Sequence, residues 1–277
     1  MTSCPHITPA LPADAAEIAR AIADGLDPEL VRRTIYACAG IARYVRRQIH
    51  GQRHGGDTAY LVARDGDRLA GCVELRRQPS GLFLNYVAVR PEYQAAGLGR
   101  RLLAAAVWRA GAAASGRMRL DVFEPNRRAA EWYQRLGFRD EALTEWWELP
   151  PPGPGPEEGF VGDLPQAQLC QRAFGFSRFV VRTERANYNV GRLGEEWFRL
   201  DDPAALEDTA VAATLARLDP GRRLLALVPA ERFPPGRRDE GRLVVRLRRM
   251  GVEMAALRQR LDRRCGNAPG RPSCWPA

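Results

Sequence analysis

The chain has 277 residues, 45% of them hydrophobic, and a formal net charge of +9. That is enough for one large or two ordinary domains with a real core. All 42 basic residues are arginine and the charge is spread evenly over the two halves, so no basic block marks a nucleic-acid surface, although attraction to an acidic ligand such as a nucleotide phosphate is compatible with it.

Residues 6–10 read as a short first strand. Asp14 opens a helix that ends near Gly25, with Ala15, Ile18, Ala19 and Ile22 on one face. Asp27-Pro28 is an N-cap followed by proline at the first helical position, and predicts a second helix to about Gln48, interrupted at Gly40. Its apolar side is Leu30, Val31, Ile35, Cys38, Ile41 and Val45. His50 and His54 stand among Gly51, Gly55 and Gly56 and read as loop residues. Strands at 58–64 and 68–77 flank Asp65-Gly66-Asp67, a hairpin turn. Pro79-Ser80-Gly81 turns into a third strand that ends at Pro91, which cannot donate to a ladder.

Gln94-Ala95-Ala96-Gly97-Leu98-Gly99 is then a tight loop. Arg100 to Ala114 continues with a helical period. First-turn amides have no partner inside a helix, and glycine permits close approach, so this loop is a ready anion site. Residues 117–123 form a strand, and a helical crossover between strands implies a parallel pair. Asn126 opens another helix, with Ala129, Ala130, Trp132, Tyr133 and Leu136 facing inward and Gly137 ending it. Phe138 leads into a last strand toward Trp146-Trp147-Glu148-Leu149.

Residues 150–159, with five prolines, read as a stiff linker. Beyond it, helices are expected at 164–173, 203–217 and 252–263, and strands at 176–183, 187–200, 223–228 and 242–249. Residues 265–277 read as a loose tail. Gly191-Arg192-Leu193-Gly194 reads as a bulge or turn in a hairpin rather than a second phosphate loop. The segments 133–138 and 170–176 echo one another, each a helix ending in Gly-Phe before a strand. Chance explains this, with a degenerate second copy of the first domain as the alternative.

The six cysteines have no C-x-x-C spacing and the three histidines add no ligand pattern, so no metal is expected. No apolar run reaches membrane length, and Met-Thr-Ser-Cys-Pro-His lacks the pattern of a signal peptide. The expected compartment is a reducing cytoplasm.

Residues 1–149 resemble the GNAT superfamily of N-acetyltransferases. Three stretches carry the resemblance in order: Tyr86-Val87-Ala88-Val89-x-Pro91 followed by Gln94-x-x-Gly97-x-Gly99; Leu120-Asp121-Val122-x-x-x-Asn126; and Ala130-x-x-Tyr133-x-x-x-Gly137-Phe138. The implied fold class is α/β with a mixed sheet, an acetyltransferase domain at 1–149 followed by a smaller α+β domain at 160–264. The resemblance implies acetyl-CoA as co-substrate. Its pyrophosphate would lie on Gln94, Ala95, Ala96, Gly97, Leu98, Gly99 and Arg100, and its pantetheine along Val87 and Val89, with Asn126 in contact.

The reaction implied is acyl transfer to a primary amine, a small molecule or a protein N-terminus. Tyr133 matches the family tyrosine that protonates the departing thiolate; as a plain helical aromatic it would be core. Asn126 serves equally as a helix N-cap. Asp121 occupies a position where ribosomal-protein N-terminal acetyltransferases carry a glutamate, and Glu74 and Glu92 are the other candidates for the base. The second half could cap the acceptor site, mediate a homodimer or be a degenerate half-domain. The non-enzyme alternative is a silent acetyl-CoA-binding sensor or assembly module.

Overall fold

The computed structural model describes residues 5–111, 116–156 and 159–262. The first half runs β1 (His6–Pro9), α1 (Ala15–Asp24), α2 (Pro28–Val31), α3 (Ile41–Gln52), β2 (Thr58–Asp65), β3 (Arg68–Gln78), β4 (Gly81–Val89), α4 (Leu98–Arg109), β5 (Arg117–Phe123), α5 (Arg127–Arg135) and β6 (Arg139–Leu149). The second runs β7 (Phe160–Gly162), α6 (Leu164–Phe174), β8 (Phe176–Arg182), β9 (Asn187–Leu193), β10 (Trp197–Leu200), α7 (Pro203–Glu207), α8 (Thr209–Leu218), β11 (Arg223–Pro229), β12 (Arg242–Glu253) and α9 (Met254–Asp262). The tail at 265–277 lies outside the described residues.

All twelve strands join one sheet, in the order β1-β2-β3-β4-β5-β12-β6-β11-β10-β9-β8-β7. Each half lends its last strand to the other: β12 lies antiparallel between β5 and β6, and β6 lies antiparallel between β12 and β11. The exchange makes the halves topologically alike. Three antiparallel pairings lead to one parallel pair in each, β4 with β5 and β10 with β11. The second half therefore repeats the strand topology of the first. The Gly-Phe echo is unrelated to that repeat. It compares α5, before β6, with α6, before β8, and α6 stands where the first half has α1 to α3.

Helices cover both faces. In the first half α1 and α3 pack on Tyr60, Val62, Cys72 and Ala88, while α4, α5 and α9 pack on the opposite face with Val73, Leu84, Leu120 and Val122. In the second half α6, α7 and α8 cover one face around Phe179, Phe198 and Leu224. The other face carries Trp146, Trp197, Leu225 and Leu247, and receives Leu30 and Cys38 from the first half.

The segment read as one long helix from Asp27 is broken. α2 stops at Val31, a 3-10 turn spans Ile35–Ala37, and α3 begins at Ile41. Tertiary contacts override the helical period here. A Cβ on Gly40 would lie 2.4 Å from the backbone of Phe174, and Cys38 donates to the Gly175 carbonyl at 3.2 Å. α3 also runs past Gly51, so His50 is helical rather than in a loop, with its ring 4.9 Å from that of His54.

Strand β6 is covered on both faces and buries Glu145 and Glu148 at 2% and 3% exposure. Buried carboxylates require counter-charges. Glu148 faces Arg242 of β12 and accepts from it at 2.9 Å, and it also pairs with Arg33 and Arg223. Glu145 faces Arg246 of β12 and accepts from it at 3.0 Å. Burial pushes the Glu148 carboxyl up, but hydrogen bonds from Arg242 and Arg33 outweigh it and hold the group below its ordinary 4.5. Its stabilisation is thus complete above pH 4.5 and is lost as pH falls through the lowered value. Glu148→Gln should reduce stability at pH 7 by about 3–5 kcal/mol, because buried Arg33 loses its close partner and keeps only the long ion pair and the carbonyl of the exposed Glu29. Denaturant titrations should show the gap to the parent closing as the pH is taken below 4.5; a gap constant with pH would contradict this.

Candidate functional site

The site begins at a defect in the sheet. On β3 and β4 the register shifts between Glu74/Tyr86 and Leu75/Leu84, leaving Asn85 as the extra residue of a bulge. Asn85 holds it by donating to Glu74 Oε1 at 2.8 Å. Next to the bulge the sheet opens. β4 and β5 pair only from Gly81/Arg117 to Leu84/Leu120, although β4 continues to Val89 and β5 to Phe123. Residues 85–89 therefore present a backbone edge with no β5 partner. Val87 and Val89 turn toward the α4–α5 face, Tyr86 and Ala88 toward the α1–α3 face.

At the mouth of this notch stands the glycine loop. A 3-10 turn at Pro91–Tyr93 ends β4, and α4 starts at Leu98 with no side chain capping its N-terminus. Ala95 and Gly97 both have positive φ, 64° and 76°. That conformation is natural for Gly97 and strained for Ala95, and it aims the loop's backbone outward. Gln94, Ala95, Ala96 and Gly97 are exposed, whereas Leu98 is buried beneath them. A Cβ on Gly99 would meet Val89 at 3.7 Å and Trp132 at 3.9 Å, so strand, loop and α5 converge there. Uncapped amides at the start of a twelve-residue helix favour an anion.

Two side chains of the loop are already engaged. Gln94 donates to the Val89 carbonyl at 3.0 Å and accepts from Arg128 at 3.0 Å. Arg100 turns away to the end of α9, donating to the Leu261 carbonyl at 2.9 Å and to that of Arg260. Both residues offer the loop their backbone rather than a side-chain contact. Asn126 is a helix N-cap, its Oδ1 accepting from Ala129 N at 3.1 Å.

Tyr133 lies on the α4–α5 side with Leu98, Leu102 and Val122, at 8% exposure. Its ring meets Phe138 edge-on at 5.5 Å. Burial alone pushes its phenol above the ordinary value, so it stays protonated at neutral pH.

The three acidic candidates separate clearly. Asp121 lies on the opposite face of β5 from that core, and both its oxygens are held by Arg249 of β12, at 2.5 and 2.8 Å. To take up a proton it must surrender a bidentate ion pair. Glu92 is on the surface turn beside Arg68, at 3.2 Å. Glu74 is 1% exposed on the α1–α3 side of β3, directly behind the notch. Its Oε1 accepts from Asn85 and from Arg76, the latter at 2.8 and 2.9 Å, while Oε2 accepts a long bond from Tyr36 at 3.4 Å, and the Tyr60 hydroxyl is also hydrogen-bonded to the carboxylate.

Three tyrosines surround Glu74. Burial and then the Glu74 charge raise the phenols of Tyr36, Tyr60 and Tyr86, and the same two causes push the Cys72 thiol up to about 12. The rings of Tyr36 and Tyr86 meet edge-to-face at 5.0 Å. Sequence reasoning did not single out these tyrosines or Arg76. The signal was present in the alternation of Tyr60, Glu74 and Tyr86 on adjacent strands, but Tyr36 reaches them only because the expected helix is broken.

The second half has no such notch. β10 is four residues long and pairs with β11 along its whole length. The amides that follow it are taken, since Asp202 caps α7 through Ala204 and Asp208 caps α8 through Ala210, each at 3.0 Å. Gly191 to Leu193 lie within β9, and Gly194, φ 55°, turns the chain into β10.

Residues 30–138 match the model of the acetyltransferase (GNAT) family. No curated protein sequence matches the chain significantly. Solved structures similar to it over nearly its whole length include a tandem GNAT protein from the clavulanic acid biosynthesis pathway, 14% identical with a TM-score of 0.60, over 91% of this chain and 99% of that one. A GCN5-related N-acetyltransferase from Sphaerobacter thermophilus is 18% identical, with a TM-score of 0.52 over 90% and 95% of the two chains. A Pyrococcus horikoshii protein provisionally assigned as an acetyltransferase is 17% identical, with a TM-score of 0.60 over 90% and 89%. At such identities the likeness is one of fold, and it extends to both halves.

The bulge is the local support of the notch. Asn85→Ala removes a hydrogen bond to a buried carboxylate and should cost about 1.5–3 kcal/mol in chemical denaturation. An unchanged midpoint would mean that the strands alone hold the bulge.

Proposed function

We propose that this protein, in which residues 30–138 match the model of the acetyltransferase (GNAT) family, transfers an acetyl group from acetyl-CoA to a primary amine by direct attack. The observation that carries this reading is the splay of β4 from β5 beyond Leu84, beside an uncapped helix N-terminus and a buried tyrosine. The free edge at Val87 and Val89 suits the amide groups of pantetheine. The amides from Ala95 to Arg100 suit a diphosphate. One donor site is proposed, in the first half alone, because the second half lacks both the splay and the free amides.

Transfer forms a nitrogen–carbon bond and breaks the carbon–sulfur bond, so the amine must lose a proton and the thiolate must gain one. Glu74 is the proposed base, reached through Oε2 and the Tyr36 hydroxyl. Tyr133 supplies the proton to sulfur from the other side of the notch. Backbone amides near Val87 and Ala88 are the proposed donors to the carbonyl oxygen as it becomes anionic. Asp121 is relieved of the base role by its bond to Arg249. Among the described residues no helix is long and apolar enough to cross a membrane. The free thiols of Cys38, Cys72 and Cys170 favour a reducing, cytoplasmic setting.

Two variants test the assignment. Tyr133→Phe should lower kcat about 10²–10⁴-fold, the span of general acid catalysis, while calorimetry finds acetyl-CoA affinity little changed. Unchanged turnover would remove Tyr133 from the chemistry. Glu74→Gln should abolish the basic-group limb of the pH–rate profile, and an unaltered limb would rule Glu74 out. Tight acetyl-CoA binding with no transfer to any of a broad set of amines and peptides would overturn the enzyme reading altogether.

A further inference from the structure

One arginine of the second half, Arg199, lies within electrostatic reach of Tyr86 and Arg76, beside the carboxylate and tyrosine cluster behind the notch. In β8, β9 and β10, Arg178, Gly191 and Arg199 are in register side by side. They lie on the face that carries Phe176, Leu193 and Trp197 toward the first half. Gly191, between the two arginines, has no side chain, and a Cβ there would come within 3.2 Å of Arg199 Cβ. The result is a shallow cradle with a guanidinium on either side.

Arg199 is poorly neutralised. Its Nε is buried and has no hydrogen-bond partner. Burial lowers its pKa from the ordinary value, the charges of Arg178 and Arg76 lower it further, and Asp201 and Tyr86 oppose the shift. Arg178 reaches Asp201 only at 3.9 Å. Tyr86 in turn feels Glu74, Arg76 and Arg199 together, which brings the cradle to the place where β4 leaves β5. Arg76 already shares Glu74 with Asn85, so the local balance is one of excess positive charge. Arg199 as a whole is half-buried, but a guanidinium whose Nε is buried without a partner is costly unless something arrives to pair with it. Guanidinium groups match the oxygens of a carboxylate or a phosphate.

We propose that the acceptor is an amine that also carries an oxyanion group, and that Arg199 and Arg178 of the second half bind that group while Glu74 of the first half receives the amine. This rests on the acetyl-transfer reading and adds the substrate class to it. The second half is then a specificity element: it binds no donor and selects the acceptor. The uncapped loop at α4 and the arginine cradle hold opposite ends of the reaction, one the diphosphate of the donor, the other the anion of the acceptor.

The test uses the full chain and matched amines that differ only in the anion. β-Alanine against its amide reads a carboxylate, and phosphoethanolamine against ethanolamine reads a phosphate. Acetylation is followed by thiol release, and binding of each amine to the CoA-loaded protein is followed separately by calorimetry. The charged member of at least one pair should be preferred in kcat/KM by about 10–100-fold, as for hydrogen bonds to charged groups. Arg199→Gln should collapse that preference, chiefly through KM, Arg178→Gln should reduce it, and Arg199→Lys should retain part of it. Arg178→Gln and Arg199→Lys keep the test decisive if Arg199→Gln fails to fold. Equal rates within both pairs, or a preference that survives both glutamine variants, would overturn the proposal and leave acetyl transfer standing. Charged amines that bind, and lose binding in Arg199→Gln, without being acetylated would support the cradle and overturn acetyl transfer. Neither binding of a charged member nor transfer to any amine would overturn both.

Discussion

The structure depends on the exchange of β6 and β12 at the centre of the sheet, and cross-strand charge fixes the register of that exchange. On β12 the residues Arg242, Arg246 and Arg249 stand directly opposite Glu148 and Glu145 of β6 and Asp121 of β5. A slip of one residue would turn these arginines to the wrong face and take from Glu145 and Glu148 the β12 partners that share in neutralising them. The sheet therefore has one register that satisfies its interior. Arg33 ties α2 to the same Glu148, so the helices behind the notch are anchored to the same point.

That constraint separates two kinds of acidic residue that look alike in the sequence. Asp121 is at a position from which a carboxylate could reach a substrate, but here it is one of the three bonds that seat β12. Glu74 is equally buried in charge, yet its bonds from Asn85 and Arg76 converge on one oxygen. The other faces Tyr36 and the place where the sheet opens. One carboxylate is held on both oxygens by a neighbouring strand and the other is proposed for chemistry, and the difference lies in which strand stands next to each.

Duplication explains the division of labour between the halves. Both have the same strand pairings, but β4 continues five residues past its last pairing with β5, whereas β10 ends where its pairing ends. Carboxylates cap the helices after β10, while the helix after β4 is left open. Among the described residues the second half repeats neither the splayed strand nor the uncapped loop, in keeping with the single donor site proposed for the first. The inward face of the second half is free to carry arginines toward the other.

The sequence by itself marked out the residues proposed for the donor side. The strand that stops at Pro91, the Gln94–Gly99 loop, Asn126 and Tyr133 lie close along the chain, and their conformations follow from local rules: proline ends a strand, glycine takes positive φ, and asparagine caps a helix. Most elements of the second half were legible for the same reason, but the helix expected at 203–217 is two helices divided at Asp208, the strand expected at 187–200 is two strands turned at Gly194, and β7 was not expected. Only the tertiary structure decided the rest. Strands β6 and β12 are separated by about ninety residues, and no local pattern announces that they pair, because both read as ordinary strands whichever half they join. The break at 32–40, which carries Tyr36 to Glu74, follows from contacts with the second half and not from its own helical period. The acceptor side proposed here draws on residues of β3, β4, β8 and β10. Charges so far apart in the chain become neighbours only after the sheet has closed around its exchanged strands.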